Sequence, residues 1–321
     1  MTALAGRALG AAAGILVDRL AGEPPAVAHP VVAFGAAMRR TEAALWSDGH
    51  GTGAAYAAAG VSLGVGAGAL VGSTAVATTL AVGGRALAGA ATAVSTALAG
   101  DDLDGARSLL PGLVGRDPDG LDTKDMARAV VESVAENTVD AVVAPALWAT
   151  AAGAAGALGY RAANTLDAMV GHRSPRYGRF GWASARIDDV AGWVPARVTA
   201  ALVMAVRPRS ATAVWRAVRH DAPHHPSPNA GVAEAAFAAA LGLRLGGSST
   251  YGGRVELRPS LGDGRPPETL DIARAVHLST DVSLALAAVL AAGGVAARWL
   301  SARAGGRGSG DSRDRRDRGA R

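Results

Sequence analysis

Three carboxylates stand four residues apart in the stretch ESVAENTVD: Glu132, Glu136 and Asp140. Residues at this spacing share one face of a helix, so the stretch predicts an acidic ridge with Asn137 beside it. Like charges so placed destabilise an exposed helix by roughly a few tenths of a kcal/mol per pair. Arg128 can offset one end of the ridge, and Mg²⁺, which prefers oxygen ligands, can bridge the other carboxylates. The alternative is a solvated acidic face at the start of the next apolar helix.

A second group of chemically active side chains lies in RAANTLDAMVGHRSPRYGRFGWASARIDD, residues 161–189. Asn164 and Asp167 stand three residues apart, on one helical face. Arginine forks are the usual partners of phosphate and carboxylate groups, so the stretch predicts a cradle for an anionic ligand beside a metal-binding carboxylate. The alternative is a basic cytoplasmic loop with arginine and aspartate paired internally. The other candidate ligand-binding residues here are Arg173, Arg176, Arg179, Arg186, Asp188 and Asp189.

The motif SPNAG, residues 227–231, precedes a third candidate element, VAEAAFAAALGLRLGG. Ser227 and Asn229 are good helix caps, and the free amides at a helix N-terminus can bind an anion. Plain capping explains the same residues, so both interpretations stay open. We expect the helix to end at Gly246 and Gly247.

Several site classes are excluded by composition. The chain has no cysteine, which excludes disulfides, cysteine-bound zinc, iron–sulfur clusters and a thiol nucleophile. It also has no GxxxxGK[ST] phosphate-binding loop. His220 and His224 stand four residues apart, but Pro223 between them and Pro226 after His225 disfavour the continuous helix of an HxxxH metal site, so we do not predict zinc there.

Long apolar segments must position these residues. Half of the chain (50%) is hydrophobic and only 18% is charged, which is typical of a membrane protein. The firmest candidate span, Gly51 to Gly84, has no charge over 34 residues. The predicted fold is mainly α: a polytopic integral membrane helical protein with about four to five membrane helices plus cytoplasmic helical loops. Further candidate spans are Ala141–Tyr160 and Val282–Ala297 and, less strongly, Ala8–Val17 and Val190–Val206.

The net charge of +5 comes mostly from the end of the chain. Gly305 to Arg321 holds six arginines and three aspartates, so it supplies +3 of the +5. A nucleic-acid-binding protein needs its basic residues on a folded surface, so we expect no nucleic-acid partner. The near absence of apolar residues predicts disorder in this segment. We therefore expect one membrane-embedded domain over residues 1–301 and a disordered Arg/Asp/Gly tail over residues 302–321.

Six blocks in the same order over residues 18–250 resemble the CobD/CbiB family of cobalamin biosynthesis, the adenosylcobinamide-phosphate synthases. The motifs ENTVD, NTLD and SPNAG carry most of the specificity. The chain departs from the family pattern at GEPP, where Glu23 replaces an aspartate, and at Gly192, where the family has asparagine. The blocks are AHPVVAFG, ARSLLPGLVGRD, AVVESVAENTVDAVVAPALWA, the stretch 161–189, VPAR, and SPNAG with the helix that follows it.

The resemblance implies an ATP-dependent amide-forming (carbon–nitrogen) ligase that joins adenosylcobyric acid to (R)-1-amino-2-propanol or its O-phosphate. A carboxylate does not react with an amine unless it is first activated, here as an acyl phosphate, and phosphate charge needs magnesium and arginine. On this hypothesis Glu136, Asp140 and Asp167 are catalytic, and Glu136 and Asp167 hold the metal. The substrate-binding residues would be Asn137, Asn164, Arg173, Arg176, Arg179, Arg186, Asp188, Asp189, Ser227 and Asn229.

The same resemblance implies the setting of the protein. The cofactors would be ATP and Mg²⁺, and the substrates an adenosylated corrinoid and aminopropanol or its phosphate. The lipid bilayer would surround the protein, and whether it forms a homo-oligomer stays open. We expect a multi-pass protein of the cell membrane with its site loops in the cytoplasm. A non-catalytic sensor-type paralogue would lack the Asp and Arg blocks that this chain keeps. An ion-coupled transporter would carry acids in the middle of its spans, whereas here they stand at segment ends.

One geometric condition decides whether the site can form. A straight helix over Ala141–Tyr160 would be about 30 Å long, and it would place the ENTVD and NTLD blocks on opposite faces of the membrane. Pro145, Gly153 and Gly156 permit a kink or a hairpin, and broken helices are tolerated in membranes where protein or water satisfies the backbone. We therefore expect a bent or internally buried segment here.

Overall fold

The computed structural model describes residues 2–22, 29–115, 118–172, 174–251 and 254–317, without the side chains of residues 249–251, 254–256 and 305–317. These residues form twelve α-helices and one two-stranded antiparallel sheet. The elements are α1 (Thr2–Ala21), α2 (Pro30–Leu45), α3 (His50–Val71), α4 (Thr74–Ala81), α5 (Gly84–Ala99), α6 (Leu103–Leu109), α7 (Thr123–Thr138), α8 (Ala144–Val170), α9 (Trp182–Val206), α10 (Ala211–His220), α11 (Ala230–Leu241), β1 (Leu245–Tyr251), β2 (Arg254–Leu261) and α12 (Thr269–Asp317).

Within the described part of the chain, four helical stretches are long and apolar enough to cross a membrane. Their exposed faces carry large apolar side chains such as Leu70, Val190 and Val289. In water such faces would be an aggregation hazard, whereas in a bilayer they contact lipid. The chain is therefore a polytopic helical membrane protein, as its composition predicts. The four stretches are His50–Val71, Thr123–Val170, Trp182–Val206 and Thr269–Ala304.

The longest of these stretches, Thr123–Val170, is not a straight helix. It passes through a π-helical turn at Val139–Val143 and then reverses at Gly153, whose φ of 69° and ψ of −150° are non-helical. As a result the side chain of Asn164 lies 3.1 Å from that of Asp140, although a straight helix would separate the two residues by about 36 Å. The expected bend is confirmed, and α8 is a hairpin.

The hairpin has its mouth at Asp140 and Asn164 and its tip at Gly153. Thirteen residues lead from Asp140 to Gly153, about 20 Å of helix, which is less than the roughly 30 Å thickness of a hydrocarbon core. The ENTVD and NTLD motifs therefore meet at one end of the hairpin, without a membrane passage between them. At the tip, Arg7 of α1 donates a hydrogen bond of 2.9 Å to the carbonyl of Ala151, so protein satisfies the backbone that the break frees.

A glycine ridge on α3 packs against the returning arm of the hairpin. Gly60, Gly64 and Gly68 stand four residues apart, so they share one face of α3. A Cβ atom on Gly64 would lie 2.5 Å from the Cβ of Ala162, and one on Gly68 would clash with the carbonyl of Ala154. Small residues permit this close approach of helix backbones in a membrane, and the ridge thereby holds the returning arm in place.

The charge-free segment Gly51–Gly84 forms two helices, which corrects the prediction of one span. α3 ends at Val71, and Gly72 continues with a φ of 66°, a conformation that glycine adopts readily. Ser73 then caps α4 by accepting a hydrogen bond of 3.4 Å from the amide of Val76. Gly72 and Ser73 are thus the local reason for the break.

The weaker candidate spans are also helical. Ala8–Val17 lies in α1 and Val190–Val206 lies in α9, which contains Pro195. Arg197 faces protein, because its guanidinium donates to the carbonyl of Pro228 at 3.0 Å.

The last helix continues to Asp317, beyond residue 301, where the sequence predicts the folded domain to end. The backbone over residues 302–317 is helical, whereas the sequence predicts a disordered tail there. Residues 318–321 and the side chains beyond Ala304 are not among those that the structure describes. The division of the chain into a domain and a tail stays a prediction.

The sheet adds an element that the sequence reading did not predict. The amide of Gly246, in β1, donates to Glu132 of α7 at 2.9 Å, and Arg128 donates to the carbonyl of Ser248 at 2.8 Å, so the sheet is docked on α7. α11 ends at Leu241, where Gly242 takes a left-handed conformation with φ 69°. The predicted helix end at Gly246 and Gly247 is therefore wrong.

Candidate active site at the mouth of the hairpin

A cavity of about 150 Å³ opens at the mouth of the α8 hairpin, and we call it the acid lobe. It is formed by the end of α7, both arms of the hairpin, α9 and the loop before α11. Five of its lining residues carry carboxylates. The lining consists of Glu136, Val139, Asp140, Asp167, Asp188, Asp189, Ser227, Asn229 and Ala230. The three catalytic candidates and four of the predicted substrate-binding residues therefore share one cavity.

Asn164 joins two of these carboxylates, although it stands on the returning arm of the hairpin. Its side-chain amide donates to Asp140 at 3.1 Å and to Asp188 at 3.3 Å. The hydroxyl of Tyr160 donates to the other oxygen of Asp140 at 3.3 Å. Arg161 donates to the side-chain oxygen (Oδ1) of Asn164 at 3.4 Å. This bond turns the NH₂ group of the Asn164 side chain toward the acids. Donors of this kind stabilise the ionised form of a carboxylate and fix its position.

The π-helical turn redistributes the acidic ridge predicted on α7. A π-turn adds a residue to the local turn of helix and often marks a functional site. Glu132 lines a second lobe, Glu136 lines both lobes, and Asp140 lines the acid lobe. Glu132 lies 4.0 Å from Arg128, as the i, i+4 spacing predicts. The ridge thus supplies carboxylates to two adjoining spaces rather than to one.

The second lobe has a volume of about 240 Å³ and shares Glu136, Ser227 and Ala230 with the acid lobe. A group held in one lobe can therefore meet a group held in the other at Glu136. The rest of its lining is Leu113, Val114, Gly115, Ala129, Glu132, Ser133, His225, Pro226, Glu234 and Arg258.

His225 is the centre of a buried polar cluster in the second lobe. Burial lowers the pKa of His225, so the imidazole is neutral near pH 7. Nδ1 of His225 lies 3.2 Å from the Ser227 carbonyl and 3.1 Å from the Ser227 amide, so it donates to the carbonyl in one tautomer and accepts from the amide in the other. Because a guanidinium can only donate, the 3.3 Å contact between Nη1 of Arg258 and Nε2 is a hydrogen bond in the tautomer protonated at Nδ1. The carboxylate of Glu234 lies 3.7 Å from Nε2. The cluster therefore places a guanidinium and a carboxylate side by side.

Ser227 and Asn229 have structural roles beside their place in the lining. Ser227 Oγ accepts from the amides of Asn229 and Ala230 at 3.3 and 3.2 Å, so capping accounts for these amides. Asn229 donates to the carbonyl of Asp189 at 2.8 Å. A Cβ at Gly192 would lie 2.7 Å from the Asn229 side chain. The departure from the family pattern at position 192 thus makes room for Asn229. An anion at this helix N-terminus stays a prediction.

Two of the predicted arginines lie on a different surface from the acid lobe. Arg176 donates to Glu42 of α2 at 3.0 Å, and its guanidinium lies 4.6 Å from the Trp46 ring. Arg179 lies 3.9 Å from Asp48. The sequence could not show these partners, because they come from a segment more than a hundred residues away.

The other predicted ligand-binding residues divide between the site and its surroundings. Arg186 lies 3.6 Å from Asp189, and its side chain is 74% exposed, so it is a basic group at the acid lobe. Asn137 donates to the Ser133 carbonyl of its own helix at 3.0 Å. Arg173 lies outside the described residues, as does Glu23.

The acid lobe supplies the oxygen donors that Mg²⁺ prefers, and Glu136 and Asp167, the predicted metal ligands, are both in it. Among the residues that the structure describes, no three Asp, Glu or His side chains are arranged closely enough to hold an ion by themselves. Binding of Mg²⁺ at Glu136 and Asp167 therefore stays a prediction.

Sequence reasoning missed Tyr160, Glu234 and Arg258, and it set His225 aside. A signal was present for Glu234, which is the single charged residue in the twelve residues of α11. A lone carboxylate in an apolar helix is costly to bury unless a charged or hydrogen-bonding partner compensates it. No signal was available for Arg258, because the strand that carries it was not predicted.

Comparison with known proteins identifies the family. The CobD/Cbib protein family matches residues 11–279. A Cobalamin biosynthesis protein CobD of Mycobacterium tuberculosis is 49% identical over 305 residues, covering 89% of this chain and 95% of the relative. Proteins of the same name from Geobacter metallireducens and Chromobacterium violaceum are 41% and 42% identical, covering 79% and 82% of this chain and 86% and 89% of the relatives. No solved structure matches the chain. The six sequence blocks, the helical membrane fold and these relatives agree: the chain belongs to the CobD/CbiB family of cobalamin biosynthesis proteins.

Proposed function

We propose that this cobalamin biosynthesis protein forms the amide bond between adenosylcobyric acid and (R)-1-amino-2-propanol or its O-phosphate, in a reaction that consumes ATP. Family membership supports the pathway. The observation that carries the chemistry is the meeting of Glu136, Asp140 and Asp167 in one cavity, although the first two and the last belong to different arms of the chain. A carboxylate cluster of this kind suits a reaction that handles both phosphate and a proton.

The reaction has two chemical requirements. The corrinoid carboxylate must first receive a phosphoryl group from ATP, because a free carboxylate resists attack by an amine. The neutral amine then attacks the acyl carbon, a C–N bond forms, and the bond from carbon to the phosphate oxygen breaks. Magnesium, held by Glu136 and Asp167 together with phosphate oxygens, would offset the negative charge of the phosphates. Arg186 at the edge of the acid lobe provides a further positive charge for an anionic group.

The amine arrives as an ammonium ion, so a base must remove a proton before or during the attack. Glu136 is a candidate for this role, as an alternative to binding the metal, because it lines both lobes and is the most exposed carboxylate of the α7 ridge. Asp140 suits a positioning role, since Tyr160 and Asn164 both donate to it. The π-turn between Glu136 and the hairpin sets the relation between these two carboxylates.

We propose a setting that suits this chemistry. We place the protein in the cell membrane as a multi-pass protein, with the mouth of the hairpin on the cytoplasmic side, where ATP is available. The acid lobe then opens toward the side from which a nucleotide enters. Corrinoids are much larger than either lobe, so only the reacting edge of the corrinoid would enter.

The test is turnover by the purified full-length protein in detergent or nanodiscs, supplied with adenosylcobyric acid, ATP, Mg²⁺ and each amine, with the product measured by mass spectrometry. Glu136→Gln and Asp167→Asn should each lower kcat by about 100- to 10,000-fold, the range for loss of an acid–base or charge-stabilising group. Asp104→Asn is the matched control, since that side chain is 96% exposed. Wild-type turnover by both site variants would refute the residue roles, and no product from the wild-type protein would refute the function.

A further inference from the structure

The second lobe differs in chemistry from the acid lobe. The acid lobe is walled by five carboxylates. The second lobe combines three glutamates with the guanidinium of Arg258 and a neutral imidazole, on a partly apolar lining. A cavity of mixed sign fits a small ligand that carries both charges, because each charge then meets an opposite partner on leaving water.

The second lobe has one cationic side chain, Arg258, in its lining. Nη1 of Arg258 is 3.3 Å from Nε2 of His225, which fixes the guanidinium in the wall, and Glu234 lies 3.7 Å from the same nitrogen. Glu136 is at the seam, since it lines both lobes. The anionic end of a bound ligand would therefore point at Arg258, and its cationic end can lie at Glu136, where the two lobes meet.

Size limits the ligand further. The second lobe, at about 240 Å³, is smaller than the roughly 300 to 1,000 Å³ of pockets that enclose drug-sized ligands. A nucleoside triphosphate or a corrinoid would not fit inside it. A short amino alcohol fits, with its methyl group against apolar residues such as Val114 and Ala129.

We infer that the second lobe is the subsite for the amine substrate, which holds the ammonium group at Glu136 and, when the substrate is the O-phosphate, the phosphate group at Arg258. This inference rests on the proposed function and adds which reactant binds in which lobe. The acid lobe receives the activated carboxyl group and its phosphate, and the two reacting atoms meet at Glu136. Arg258 also becomes the residue that distinguishes the phosphorylated amine from free aminopropanol.

The experiment compares Arg258→Gln with the wild-type full-length protein and both amines. Loss of one charged hydrogen-bond partner should raise KM for aminopropanol O-phosphate by about 10- to 100-fold. The rise in KM for the O-phosphate should be larger than any change in KM for free aminopropanol or for ATP, because only the O-phosphate carries the anionic group that loses its partner. The matched control is Arg244→Gln, an exposed arginine just before β1, which should change none of these values.

Direct binding separates this inference from the proposed function. Aminopropanol O-phosphate is titrated calorimetrically into the protein without ATP or corrinoid, and Arg258→Gln should weaken binding by the same factor. If the wild-type protein binds this compound through Arg258 but forms no amide, the subsite stands and the proposed function fails. Unchanged KM and unchanged binding for Arg258→Gln, or a raised KM for ATP instead, would overturn the subsite.

If Arg258→Gln does not fold, Arg258→Lys takes its place in the experiment. Arg258→Lys keeps the charge but loses the planar fork, so it should give a KM for the O-phosphate between those of wild type and Arg258→Gln. A value equal to that of wild type for Arg258→Lys, together with unaltered binding, counts against the assignment.

Discussion

Because the chain reverses at Gly153, we expect the single added methyl group of Gly153→Ala to have a strong effect on stability and activity. Gly153 has a φ of 69° and a ψ of −150°, a region of backbone space that is essentially reserved for glycine. A Cβ there would lie 3.4 Å from Nε of Arg7 and 3.6 Å from Oγ1 of Thr74. The space is therefore tight but not closed, so the cost of Gly153→Ala comes chiefly from the backbone.

Forcing a residue with a Cβ into such a conformation costs about 1–3 kcal/mol. The hairpin can avoid this cost only by opening, and opening would separate Asp140 from Asn164. We therefore expect Gly153→Ala to lower the free energy of unfolding by about 1–3 kcal/mol and to lower amide formation as well. Both losses have one cause, since the mouth of the hairpin carries the acid lobe.

The assay is thermal or denaturant unfolding of the purified protein in detergent, together with turnover. Gly66→Ala is the matched control, because Gly66 is helical and a Cβ there meets nothing within 4 Å. Alanine is favoured over glycine in a helix by about 1 kcal/mol, so this variant should be as stable as wild type or more so. If Gly153→Ala is as stable and as active as Gly66→Ala, the reversal does not depend on glycine and the reasoning is wrong.

Three further predictions follow from the described contacts. Cysteines introduced at Lys124 and His172, in a chain that has none, should react with an impermeant thiol reagent from the same side of the membrane; reaction from opposite sides would exclude the hairpin. Asn164→Leu removes the donor shared by two carboxylates and should lower unfolding free energy by about 1–3 kcal/mol, measured by denaturant titration; an unchanged value would show that the acids do not need it. Burial lowers the pKa of His225 below its unfolded value of about 6.5, so the unfolded chain binds more protons on acidification and stability should fall below about pH 7. His225→Gln should flatten that pH dependence, and a curve identical to wild type would contradict it.

Residue types and spacing predicted the members of the acid lobe well. The requirements of the expected reaction, together with helical spacing, indicate Glu136, Asp140 and Asp167, and the hairpin brings them to one cavity. The sequence also predicts a bend at Pro145, Gly153 or Gly156, because a straight helix could not join the two motifs, and the structure places it at Gly153.

Other features depend on contacts between distant segments, which one sequence does not display. Arg176 resembles a phosphate ligand in its local context, yet it bonds to Glu42, and only the fold of α2 decides between these partners. The π-turn is equally hidden, because VDAVV has no glycine or proline to mark a break in the helix. The second lobe was missed because its wall includes a strand that the sequence did not predict. Arg258 lies on that strand, so its place in the lobe could not be predicted either.

The docking of β1 on α7 limits how the chain can be threaded through the bilayer. Arg128 and Ser248 are hydrogen-bonded, so an even number of membrane passages must separate them. The hairpin brings its two ends together and so contributes an even number, whereas one passage of α9, which is long and apolar enough for it, would make the total odd. A topology map drawn only by counting hydrophobic stretches does not include this constraint.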